Sequence, residues 1–276
     1  VAANPGAAPA ARVIADTHVH LYPCHDTALA LASLAANLAA GAAAAGAGTA
    51  AALFAERRDC RLFAKLRSGE LRPAHGPFTV RAGAEPGTAL LLEGGRPVAH
   101  LFDGRQIVTA ERVEILALAA SVEIPDGLPA DRVVAAILDA GGVPAVGWSP
   151  GKWWFARGAV IGALLRGRRP GELLLGDTAL RPARSPEPSL MRAARRAGFA
   201  VVAGTDALPL AGEERLLGSY GTLFAGAFDD ARPLASIREL LRSPAAVAGT
   251  AGSRGTWAGA ARRWLGNARG ATPCAA

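Results

Sequence analysis

The chain has 276 residues, 51% hydrophobic, 19% charged and 5% aromatic, a balance that excludes a disordered segment or a disulfide-stapled miniprotein and allows one substantial core. Its formal charge of +7 invites a nucleic-acid reading. However, only Lys65 and Lys152 are lysines, and the arginines are dispersed in short pairs such as Arg57-Arg58 and Arg195-Arg196 rather than clustered with aromatics, so nucleic acid is not expected as a partner.

Residues 1–11 lack a basic start and a long apolar run and read as a flexible tail. A first strand is predicted over 12–20, followed by an Ala-rich helix over 27–43 and a second strand over 49–54. The stretch 27–55 carries no charge and is long enough to span a bilayer. Its Ala and Gly content fits a buried helix feeding a buried strand better, so no membrane is expected. A helix follows over 56–66. Between 77 and 102, apolar runs at 78–82, 89–93 and 97–102 alternate with Gly-rich turns and predict a small antiparallel insertion. A buried strand is then expected over 112–118.

The second half is more regular. Helices are predicted over 129–140, 155–166, 189–197 and 234–242, with strands over 143–147, 172–175 and 199–204. This alternation signals parallel βαβ units. The expected organisation is a single domain over 12–248, containing the insertion, with a loosely ordered tail over 249–276. Cys24, Cys60 and Cys274 are odd in number and widely spaced, without a CxxC, which points to a reducing, cytoplasmic setting.

Polar motifs fall where these strands end. The first strand closes on Asp16-Thr17-His18-Val19-His20. Later strands run into Trp148-Ser149-Pro150-Gly151-Lys152, into Gly176-Asp177-Thr178-Ala179-Leu180-Arg181, and into Thr205-Asp206-Ala207. In parallel α/β folds the ligand site lies at the carboxyl ends of the strands, so these segments are expected to converge on one pocket. His18 and His20 alternate on one face of a strand, which lets one backbone segment offer two imidazoles to a divalent metal.

The segment DTHVHLYP resembles the first-strand signature of the amidohydrolase-type metal-dependent hydrolases and the related polymerase-and-histidinol-phosphatase barrels. GTDALP is similar to their last-strand aspartate motif. The resemblance implies a TIM-like (β/α) barrel, distorted and carrying the antiparallel insertion. It also implies a divalent metal, zinc first with manganese or iron as alternatives, held by His18, His20 and Asp206. Asp206 would double as the proton shuttle for the attacking water. The family pattern adds histidines from middle strands, whereas this chain has none after His100. A single ion is therefore expected, with Asp177 as a further ligand or catalytic carboxylate.

Lys152 is either an oxyanion-stabilising catalytic group or a solvated loop lysine. Asp177 and Arg181 are either a structural ion pair or a ligand and a substrate clamp. Trp148, near Trp153 and Trp154, walls a pocket or packs under the rim, and Tyr220 is a further substrate-contact candidate. His25 is a loop histidine or a third imidazole. Glu114 alternates with Val113 and Ile115, facing either a pocket or solvent. The leading expectation is metal-dependent hydrolysis of a small molecule at a C–N, C–O or phosphoester bond. The competing ones are a catalytically silent barrel that binds a ligand or partner, and a lyase or decarboxylase on the same scaffold.

Overall fold

A computed structural model describes residues 11–270. The N-terminal tail expected over 1–11 thus lies outside the described residues but for Ala11, as do residues 271–276 of the expected C-terminal tail. Among the described residues, twelve strands fall into two mixed sheets. The larger orders β12 (Val247–Gly252), β11 (Tyr220–Ala225), β1 (Arg12–Val19), β2 (Thr49–Phe54), β5 (Arg96–Phe102), β4 (Thr88–Glu93) and β3 (Phe78–Ala82). The smaller orders β10 (Val201–Gly204), β9 (Leu174–Thr178), β8 (Val143–Gly147), β7 (Glu114–Leu118) and β6 (Arg105–Val108).

The TIM-like barrel expected from the sequence is not what forms. Parallel neighbours require a crossover, usually a helix, and only some of this chain's connections return the chain parallel. Helix α1 (Thr27–Ala45) joins β1 to the parallel β2, and α4 (Phe155–Arg166) joins β8 to the parallel β9. Helix α5 (Ser189–Arg196) then carries the chain to the parallel β10. Elsewhere the connections reverse the chain. β3, β4 and β5 form an antiparallel meander, β7 is antiparallel to both β6 and β8, and β11 is antiparallel to both β1 and β12. The result is two mixed sheets without a closed ladder. The antiparallel segment is not set apart from the fold either, because β5 pairs in parallel with β2 and extends the larger sheet.

The two sheets meet in two places. Between β5 and β6 the chain passes from one sheet to the other at Gly104, where a Cβ would lie 2.6 Å from the Ala117 carbonyl oxygen and collide with that of Phe54. Only glycine permits this approach. Just beyond it, Gln106 N–H donates to the Glu56 carbonyl at 2.9 Å, fixing β6 beside the end of β2. On the other side, Asp206 N–H donates to the His18 carbonyl at 2.9 Å and Thr17 Oγ1 donates to the Ala203 carbonyl at 2.9 Å, fixing β10 beside β1.

Apolar side chains from both sheets, among them Val13, Leu53, Phe102, Leu116, Leu174 and Val202, form a shared core. Helix α6 (Pro233–Arg242) covers it with Ile237, Leu240 and Leu241, while α3 (Ala130–Asp139) packs Val133, Val134 and Ile137 in a second cluster with Ile115, Ala117 and Val146 of the smaller sheet. Helix α1, capped by Asp26 Oδ1 accepting from Leu29 N–H at 3.0 Å, is long and apolar enough to cross a membrane. Here its Ala30, Leu31, Leu34 and Leu38 pack on Ile14, Ala52 and Leu101 of the larger sheet, as a core helix. The region after Gly249, expected to be loosely ordered, instead completes β12 and forms α7 (Trp257–Gly270).

Candidate metal centre

The end of β1 is organised by a carboxylate that is not itself exposed to the site. Asp16 is fully buried. Its Oδ1 accepts from His18 N–H at 3.1 Å and Thr205 N–H at 2.9 Å, while Oδ2 accepts from Gly218 N–H at 2.9 Å and from the Thr205 hydroxyl. Burial pushes its pKa above the ordinary carboxylate value, opposed by those donors. Asp16 thereby locks β1, the β10 exit and the approach to β11 in one arrangement. Gly204 permits it, since a Cβ there would lie 2.5 Å from His18 Cβ.

His18, His20 and Asp206 then converge, all buried, their potential ligand atoms within 4.8 Å of one another. The two Nε2 atoms stand 3.0 Å apart, and Asp206 Oδ1 lies 3.6 Å from His18 Nε2 and 3.5 Å from His20 Nε2. Asp206 adopts a left-handed backbone with φ of 52°, a conformation that costs a non-glycine residue roughly 1–3 kcal/mol. Two bonds hold it there: its N–H donates to the His18 carbonyl, and its carbonyl accepts from Arg263 Nη2 at 3.1 Å. Arg263 is in turn clamped by Glu213, whose Oε2 also accepts from Leu208 N–H at 3.0 Å.

Burial, reinforced by the adjacent His18, holds the His20 imidazole well below its ordinary pKa and therefore neutral. Burial pushes the Asp206 carboxyl up, with His18 pulling the other way and Glu114 adding to the rise. A cation beside Asp206 would act in the opposite sense, favouring the carboxylate.

The cluster opens into a cavity of about 260 Å³ whose lining includes His20, Asp206, Gln106, Arg57, Glu114 and Lys152. Lys152 Nζ donates to Glu114 Oε1, and Ser149 Oγ donates to Glu114 Oε2 at 2.8 Å. Lys152 is thus a paired cation at the cavity wall, and Glu114 faces the pocket. From α7, Trp264 and Asn267 also line the cavity.

The other expected site residues lie elsewhere. Asp177 is buried in a bidentate pair with Arg181, Nε to Oδ1 at 2.7 Å and Nη2 to Oδ2 at 2.6 Å, and accepts from the Tyr220 hydroxyl at 3.0 Å. Asp177 is not among the carboxylates and imidazoles whose potential ligand atoms converge with those of His18 and His20. Trp148 packs partly buried against the core cluster of β7, β8 and α3. His25 is buried: its Nε2 donates to the Leu208 carbonyl at 3.0 Å, and its Nδ1 accepts from Tyr22 N–H at 3.4 Å. That assignment leaves no ring nitrogen for a metal and makes His25 a brace between the β1 and Asp206 loops.

Sequence reasoning missed Gln106, whose Oε1 sits 3.1 Å from His18 Nε2 and 3.2 Å from His20 Nε2. It also missed Arg57, Trp264 and Asn267. Gln106 lies on a four-residue strand in a stretch not read as a strand at all. The available signal was one polar side chain alternating with the buried Ile107.

The fold and cluster together define a two-sheet α/β protein with a His-His-Asp centre at the carboxyl ends of β1 and β10. No family model matches the chain, and no curated protein matches it. Among solved structures it is similar to PsfC from Pseudomonas syringae PB-5123, at 16% identity and a TM-score of 0.50 over 84% of this chain and 98% of that one. It is also similar to the lesion-specific endonuclease PfuEndoQ from Pyrococcus furiosus, at 12% identity and a TM-score of 0.44. A third similar chain is endonuclease Q in complex with a 27-mer duplex substrate carrying an abasic lesion, at 11% identity and a TM-score of 0.43. The chain spans 56% of the length of each endonuclease chain. The likeness to PsfC is one of fold.

The expectation of a small-molecule substrate with no nucleic-acid partner is corrected here. The finding against it is that one similar chain, endonuclease Q, is described with a duplex substrate. Basic residues dispersed along the chain still meet in space, since Arg57 and Lys152 line the same cavity.

Proposed function

We propose that this protein is a metal-dependent hydrolase that cleaves a phosphoester bond, using one divalent cation held by His18, His20 and Asp206. The observation that carries the reading is the approach of two imidazole nitrogens and a carboxylate oxygen in a buried setting at the strand ends. The donor set fits a cation. Two ring nitrogens 3.0 Å apart either share one N–H···N bond or turn both lone pairs to one point, and the second arrangement, with Asp206 Oδ1 3.6 and 3.5 Å away, is a cation's donor set. Two imidazoles and a carboxylate suit zinc in particular.

Such an ion supplies Lewis acidity toward a substrate oxygen and toward water. The remaining roles fall to the chain's own side chains. In this reading the second oxygen of Asp206, a residue that lines the cavity, accepts a proton. Arg57 and Lys152, each held by a carboxylate (Asp59 and Glu114), present positive charge to an anionic group in the cavity. Asp16 and His25 hold the two loops that carry the ligands. A cytoplasmic setting accompanies this reading.

The test is metal content by mass spectrometry, together with hydrolysis of p-nitrophenyl phosphate and bis-p-nitrophenyl phosphate. Near-stoichiometric metal is expected, with metal and hydrolysis both lost in the double variant His18→Ala/His20→Ala. A folded protein that takes up no divalent metal, or that turns over the esters equally well in the double variant, refutes the reading.

A further inference from the structure

We propose that the side-chain amide oxygen of Gln106 is a fourth ligand of the cation, supplied by the smaller sheet to a centre whose two histidines come from the larger one. The inference rests on the metal reading above and deepens it.

Four atoms share one point of the structure. His18 Nε2, His20 Nε2 and Gln106 Oε1 form a triangle with sides of 3.0, 3.1 and 3.2 Å, and Asp206 Oδ1 stands 3.6 and 3.5 Å from the two nitrogens. Ligand atoms arranged tetrahedrally about 2.1 Å from an ion are separated by about 3.4 Å. The Gln106 oxygen keeps the same spacing to both nitrogens that they keep to each other.

Hydrogen bonding fits this group poorly. Each neutral imidazole has one N–H. If both protons sit on Nε2 and point at Gln106, the two N–H groups also face each other. If one Nε2–H donates to the other Nε2, that single proton is shared with the amide oxygen, and the remaining nitrogen lone pair faces that oxygen. A cation would take both Nε2 lone pairs and the amide oxygen together. The buried His18 Nδ1 has no hydrogen-bond partner with or without an ion.

The backbone sets the side chain in place. Gln106 N–H is fixed to the Glu56 carbonyl, and β6 pairs with β7 through Gln106 opposite Leu116. This register directs alternate side chains of β6 toward the centre and toward the core, where Ile107 is buried. A neutral amide in this role leaves a divalent ion with Asp206 at a net charge of +1, whereas a glutamate would cancel it. The more positive centre suits an anionic substrate. The ligand role expected of Asp177 is thereby filled by an amide oxygen from β6, in a chain with no histidine after His100.

Cobalt(II) is the probe, because its visible absorption reports ligand number and type independently of turnover. The wild type is expected to bind one equivalent. Gln106→Ala, and the volume-conserving Gln106→Met, should bind at least tenfold more weakly, a lower bound set by what outer-sphere losses cost metal sites, and with an altered band shape. Gln106→Glu should restore tight binding. Circular dichroism checks the fold, and Gln106→Met carries the test if Gln106→Ala misfolds. If both Gln106→Ala and Gln106→Met bind cobalt with wild-type affinity and an unchanged spectrum, while His18→Ala/His20→Ala does not bind, Gln106 is not a ligand and this inference alone fails. If the wild type binds no cobalt, the metal reading fails and takes this inference with it.

Discussion

Removing the Asp177 carboxylate separates a structural role from a chemical one. Asp177 and Arg181 are only 5% and 6% exposed. Arg181 donates twice to Asp177, Thr178 N–H and the Tyr220 hydroxyl each donate once, and Arg254 Nη1 lies 3.8 Å away. Asp177→Ala leaves the Arg181 guanidinium buried without its countercharge, and breaking a buried pair in this way costs about 3–5 kcal/mol. With an unfolding slope of about 2–3 kcal/mol per molar urea, the midpoint should fall by roughly 1–2.5 M. Replacing the pair together, as Asp177→Leu/Arg181→Met, should recover most of the loss, because well-packed apolar substitutes for buried ion pairs are often neutral or better. A second readout is local. Burial, then the Asp177 charge and hydrogen bond, push the Tyr220 phenol up to about 12. In a Tyr22→Phe background, where Tyr220 is the remaining tyrosine, Asp177→Asn should lower that titration toward the ordinary value, read as phenolate absorbance. If Asp177→Ala unfolds at the wild-type midpoint but no longer binds metal, Asp177 belongs to the centre and the structural account is wrong.

Gly204→Ala should destabilise the fold by about 1–3 kcal/mol through overpacking and weaken metal binding as well, since the new methyl displaces His18; unchanged metal affinity in a calorimetric titration would contradict the close approach of β10 and β1. Burial raises the Glu56 carboxyl from its ordinary value to about 7, so between about pH 4.5 and 7 the folded chain binds more protons than the unfolded one and stability falls as pH rises, by about 3 kcal/mol in total. Glu56→Gln preserves an acceptor for Phe63 N–H and should flatten that part of the stability–pH curve; a variant that keeps the full slope would assign it to another group. Arg263→Gln removes the clamp on Glu213 and the bond to the Asp206 carbonyl. It should cost about 2–3 kcal/mol for a pair that is not fully buried and lower metal affinity at least several-fold; retention of wild-type affinity would show that Asp206 holds its left-handed conformation unaided.

What the sequence revealed and what it hid divide along a physical line. Local periodicity suffices for β1, α1, β2, β8 and α3, where apolar spacing, an N-cap at Asp26 and the strand-ending polar motifs are contiguous in the chain. The pair His18 and His20 is readable because a strand's alternation fixes both rings on one side. Asp206 is visible as a polar residue closing an apolar run. Architecture is not local, however. The connection from β7 to β8 holds α3 and is long enough for a parallel crossover, yet the two strands pair antiparallel, and the four-residue β6 is too short to show any period. Gln106 was hidden for the same reason. Asp177 stood out because it ends an apolar strand, but the position of a carboxylate says nothing about its partner, and here an arginine four residues on takes it up.

A site assembled by two mixed sheets needs its register enforced where a closed ladder would have done so. Backbone bonds do this at both meeting points, from Gln106 to the Glu56 carbonyl and from Asp206 to the His18 carbonyl. Each bond ends on or beside a residue of the centre, so a displacement of one sheet against the other moves the candidate ligands directly. That coupling accounts for features that otherwise look costly: Gly104 and Gly204 at positions that tolerate no side chain, Asp206 in a left-handed conformation, and a fully buried Asp16 spending all its acceptor capacity on the strand ends. These features keep atoms from β1, β6 and the β10 exit together. Asp16 in particular touches no cavity, yet it sets the position of both His18 and Thr205, so the geometry of the centre depends on a carboxylate that takes no part in its chemistry.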